Sequence, residues 1–187
     1  MVGVSAAGSV LMLAPAVANI MNWQHSTGAK SKPQAGLALF KCAAIAYGLA
    51  AAMQAFTALP SNNALVGLTW FKPALANVWL YGFFGVASVA AMSLIAAELL
   101  DSKLSPSLLL RPAWLTVAGS FLLTVPLMIG GMLQGKALLT TSPFMDSMKA
   151  TLPWSGIAMI GFALVAAGAS LFLLNLFRMV AASPLVA

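Results

Sequence analysis

The fold is decided by one stretch, Thr69-Trp70-Phe71-Lys72-Pro73-Ala74-Leu75-Ala76-Asn77-Val78-Trp79-Leu80-Tyr81-Gly82-Phe83-Phe84-Gly85. Lys72 stands at its start, and Pro73 suits the first turn of a helix. From Pro73 onward no charged residue occurs until Glu98. A helix needs ~20 mainly apolar residues to cross the hydrocarbon core of a bilayer, and residues 73–100 supply them. Trp70 and Trp79 lie where interfacial aromatics are expected.

Outward from this run the pattern repeats. Apolar runs occupy about 2–23, 34–59, 108–133 and 153–181. Together with 73–100 they predict an all-α integral membrane bundle of five transmembrane helices forming a single domain over 1–187. Pro60-Ser61-Asn62-Asn63 is read as a break, residues 64–71 as a short apolar surface segment, and residues 134–152 as a longer connection. Pro126 is an expected kink. No basic n-region precedes the first run, so it is not read as a signal peptide.

Composition agrees with a bilayer setting. The chain is 61% hydrophobic and only 6% charged, against roughly 25% charged residues in soluble domains. The sequence pI is about 9.9, but the basic residues are scattered between apolar runs, which excludes a nucleic-acid footprint. A single cysteine, Cys42, excludes a disulfide framework and a cysteine-only metal site. His25, Glu98, Asp101 and Asp146 are all that remains for acid–base or metal chemistry, so no catalytic and no metal site is assigned.

The nine lysines and arginines also set the expected orientation. With five crossings, Lys30, Lys32, Lys41, Lys103, Arg111 and Arg178 fall on one side. Lys72, Lys136 and Lys149 fall on the other. The positive-inside rule then places the C-terminus in the cytoplasm and the N-terminus in the periplasm of a bacterial inner membrane. Small residues are dense in the second and fifth runs, as suits close helix packing in lipid, and no helix shows a strongly polar face.

Several motifs carry a resemblance. They are Leu13-Ala14-Pro15-Ala16-Val17 followed by Asn22; Ser61-Asn62-Asn63-Ala64-Leu65; Tyr81-Gly82-Phe83; Trp114-Leu115 with Gly119, Gly131 and Gln134-Gly135; and Pro143-Phe144-Met145-Asp146-Ser147 leading to Thr151-Leu152-Pro153. In this order they resemble the last five helices of the catalytic subunit of cbb-type cytochrome c oxidases. Those enzymes are relatives of the large subunit of nitric oxide reductase within the haem-copper oxidase superfamily.

The resemblance implies haem-ligand histidines at two positions that here read Leu75 and Asn77. Leucine has no donor atom, and asparagine is not a usual axial ligand of haem iron. A glutamate of the family's second helix is also missing, with Met53 and Gln54 nearby. The expectation is therefore a non-catalytic chain that binds no cofactor: a structural subunit packed against haem-bearing oxidase or reductase subunits, with lipids and a membrane-anchored cytochrome c as further neighbours. Two alternatives stand beside it, half of a split oxidase subunit and a small transporter or channel. Trp79, Phe83, Phe84, Met53 and Met92 are the side chains expected to fill the space that haem would take.

Overall fold

The computed structural model describes residues 7, 8, 10–26, 35–99, 107–140 and 144–181. Among these the chain is helical, without a strand. Seven α-helices follow one another: α1 Leu13–Ser26, α2 Ala35–Ala58, α3 Pro60–Val66, α4 Phe71–Asn77, α5 Val86–Leu99, α6 Ser107–Leu139 and α7 Phe144–Ala181. Between α4 and α5 the helix does not stop but widens into a π-helical stretch, Val78–Gly85.

Four segments among the described residues are long and apolar enough to cross a membrane: Gly36–Ala58, Phe71–Ile95, Leu109–Leu139 and Met145–Ala181. They correspond to the second to fifth expected runs. In the first run, α1 is 14 residues long, or about 21 Å at 1.5 Å per residue. That is shorter than the ~30 Å hydrocarbon core. Lys30, Lys32, Asp101 and Lys103 lie outside the described residues.

Two stretches expected to be irregular are helical. Pro60 opens α3 at a position where its missing N–H costs no intrahelical bond. Asn62 Nδ2 donates back to the Phe56 carbonyl at 3.2 Å and closes the corner after α2. The surface segment is also partly internal, since Val66, Thr69 and Phe71 are buried. The expected connection 134–152 is likewise mostly helix, because α6 continues to Leu139 and α7 starts at Phe144 rather than Pro153. Lys136, Asp146 and Lys149 made this region read as loop, yet on paired helices they simply face outward, with Ser147 and Thr151 buried beneath them. Around Pro153 in α7, Thr151 donates to the Met148 carbonyl at 2.8 Å and Ser155 to the Leu152 carbonyl at 2.9 Å.

α6 is the central helix. Half of its apolar window is buried (50%), against 28–33% in the other three. It runs antiparallel to α7, and three glycines set the spacing. A Cβ at Gly119 would lie 2.7 Å from the Val165 nitrogen, and one at Gly168 would lie 2.8 Å from the Thr116 nitrogen. A Cβ at Gly161 would run into the backbone of Leu122 and Leu123. Close backbone approach of this kind is how helices gain dispersion contacts in lipid. At the end of α6, Gly131 and Gly135 admit the backbones of Phe71 and Leu65, so the α3–α4 corner is pressed onto it.

The largest core cluster joins Ala50 and Met53 of α2, Phe71, Ala74 and Leu75 of α4, and Leu123 and Leu127 of α6. A second cluster, nearer the other end, holds Leu39, Ala43, Val86, Ala90 and Ala113. One end of the bundle therefore carries Lys72, Lys136 and Lys149 with Trp70 and Trp154. The opposite end carries Lys41, Arg111 and Arg178 with Trp114.

Candidate functional site

Leu75 is 6% exposed and packs inside the largest core cluster, together with Met53. Asn77 is half-buried on another face of the same helix and belongs to no core cluster. The two positions are thus not brought to one pocket. Of the expected filling residues, Met53 meets Leu75, whereas Met92 is 45% exposed and lies elsewhere. Trp79 packs at the edge of the cluster. Phe83 and Phe84 instead build an aromatic group with it.

That group is a product of the π-helical stretch. Its wider turn brings the Trp79 ring within 5.9 Å of Phe83 and 6.3 Å of Phe84. Tyr47 of α2 caps it, 5.5 Å from Trp79 in an edge-to-face arrangement and 5.0 Å from Phe83. Tyr81 points the other way, to Phe162 of α7 at 6.5 Å. Edge-to-face and tilted pairs of this kind add to the area they bury. Gly82, in the middle, lets α2 come near: a Cβ there would lie 3.2 Å from that of Ala46.

Where α2 and α6 diverge above this stretch, a cleft of about 210 Å³ remains. Val78, Gly82 and Val86 form its floor. Its rim is open to the outside of the bundle, with Ile45 60%, Leu49 42% and Phe121 68% exposed. Cys42, Ser120 and Thr124 are its polar or polarizable points. Ser120 already donates to the Thr116 carbonyl at 2.9 Å, and Thr116 to the Pro112 carbonyl at 3.2 Å. The cleft holds no carboxylate, imidazole or amine. Its chemistry is therefore that of an apolar receptor rather than an acid–base site.

A second cleft, of about 280 Å³, lies at the lysine-bearing end between the Leu68–Trp70 turn, Gln134 and Met148. It is shallow, with Leu68 95% exposed.

His25 lies in the last turn of α1. Cys42 is a free, half-buried thiol on the wall of the first cleft. Asp146 and Lys149 stand exposed on α7. Among the described residues no three of His, Cys, Asp and Glu come together. The mid-bundle cleft was not anticipated from sequence. Its one legible signal is the hydroxyl pair Ser120 and Thr124 at i, i+4 on α6.

No known protein family matches this chain, and no curated protein matches it.

Proposed function

We propose that the chain is a structural membrane subunit of a bacterial respiratory complex, packed without a cofactor of its own against the haem-bearing core of a cbb-type oxidase or nitric oxide reductase. The observation that carries this reading is the setting of Leu75. At a position where the resemblance implies a haem ligand, an aliphatic side chain sits among Met53, Phe71, Leu123 and Leu127. Such a site serves helix packing. The wide lipid-facing surfaces of α2 and α7 leave room for haem-bearing neighbours and a membrane-anchored cytochrome c.

In this reading the first run completes a fifth crossing in the inner membrane, with the N-terminus periplasmic and the C-terminus cytoplasmic. The sequence count of Lys30, Lys32, Lys41, Lys103, Arg111 and Arg178 against Lys72, Lys136 and Lys149 supports that orientation. The test is gentle solubilisation followed by native gels stained for haem. The expected result is that the chain migrates within a haem-positive band far above the size of a 19.3 kDa protein in detergent. Migration alone, with no haem band containing the chain, overturns the proposal.

A further inference from the structure

We infer that the cleft between α2 and α6 is a phospholipid site: one acyl chain lies in the cleft, and the anionic headgroup meets the cationic end of the bundle below it. The inference does not depend on which complex the chain joins.

The first argument is the character of the space. At about 210 Å³ the cleft exceeds the ~150 Å³ apolar cavity that stays dry and takes up benzene. Water has little to hold there, because Ser120 already spends its proton on the Thr116 carbonyl. The opening lies between exposed Ile45, Leu49 and Phe121, so the guest enters sideways from the hydrocarbon.

The second argument is depth. Counting down α6 from Thr124, the next cation is the exposed Arg111. The separation is about 20 Å at ~1.5 Å per residue. Half the thickness of a bilayer with its headgroups is also about 20 Å. A phosphate level with Arg111 therefore places the end of its chain at Thr124.

The third argument is charge. Trp114 lies one turn before Val117 and two turns before Phe121 on α6, and Arg111 stands exposed one turn before Trp114. Below the cleft, α6 thus carries an interfacial ring and then an exposed cation. Basic groups between helices at a membrane face attract anionic headgroups. A partner helix would need no such cation below the cleft.

Native mass spectrometry tests this. The full chain is reconstituted into vesicles of phosphatidylglycerol or of phosphatidylcholine, then extracted and delipidated. The wild type is expected to retain one phosphatidylglycerol per chain where phosphatidylcholine is lost. Arg111→Gln lowers phosphatidylglycerol retention about fivefold, the effect of one surface cation on an anionic lipid, and leaves phosphatidylcholine unchanged. Ser120→Phe, which fills the cleft, removes the retained lipid. Ile45→Trp at the exposed rim does the same where the first variant fails to fold. Ile160→Phe on the far face of α7 retains it. Equal retention of both lipids with no effect of Arg111→Gln overturns the inference. So does retention that survives a folded cleft-filling variant, or an isoprenoid or polypeptide mass in place of the phospholipid.

Discussion

The backbone nitrogen of Trp70 donates to the side-chain oxygen of Gln134 at 3.1 Å. This bond ties the turn before α4 to the last turns of α6, beside the close approach of Gly131 to Phe71. Leu68 and Trp70 of that turn are exposed, and the bond fixes where the chain enters its next crossing. Replacing Gln134 by Leu removes the acceptor and is expected to cost about 0.5–1.5 kcal/mol, while Gln134→Glu keeps an acceptor and costs less. Unfolding of the detergent-solubilised protein by increasing SDS, followed by circular dichroism, measures the difference. Equal stability of the Leu variant and wild type would show the bond to be unimportant.

The α6–α7 seam makes a sharper demand. Gly161→Val places side-chain atoms in the backbone of Leu122 and Leu123, and it is expected to destabilise by about 1–3 kcal/mol or more. Gly156 has nothing within 4 Å of its virtual Cβ. Gly156→Ala should therefore stabilise α7 by roughly 0.5–1 kcal/mol through helix propensity. The same SDS titration reads both, and a reversed order would refute the packing.

Leu75 and Asn77 separate on substitution. Truncating a buried leucine in a packed cluster costs about 2–5 kcal/mol, so Leu75→Ala is expected in that range. Asn77→Ala, at a half-buried position outside the clusters, should cost under about 1 kcal/mol. Comparable losses at the two sites would mean that Asn77 has a partner of equal weight.

Orientation follows from the proposed five crossings. Reporter fusions at the two ends should place the N-terminus in the periplasm and the C-terminus in the cytoplasm. Both ends on one side would give an even number of crossings and remove the oxidase-like topology.

The membrane character and the helical class were legible because so few charges interrupt the runs, and the second to fifth runs fell where the apolar windows lie. Helix ends were less legible. Pro60, Pro153 and the cluster of Lys136, Asp146 and Lys149 are local signals for loop, but burial of Val66, Ser147 and Thr151 against α6 overrides them. The π-helical stretch left no local mark, since Trp79, Phe83 and Gly82 fit an α-helix equally well. The cleft was hidden for a related reason: it is made by the divergence of two helices far apart in sequence. Leu75 was singled out for a missing donor atom; its burial beside Met53 is a tertiary fact.

The length of the α6–α7 pair has a mechanical consequence. α7 has 38 residues and α6 has 33, about 57 Å and 50 Å at 1.5 Å per residue. α2, packed in the same bundle, has 24, about 36 Å. Helices joined backbone to backbone cannot shorten independently, so one flank of the molecule outreaches a ~30 Å hydrocarbon core far more than the other. Lys136, Asp146 and Lys149 stand exposed on that excess, so the added turns carry charge clear of the hydrocarbon instead of apolar surface into it. The pair therefore rises as a charged ridge beside the shorter α2.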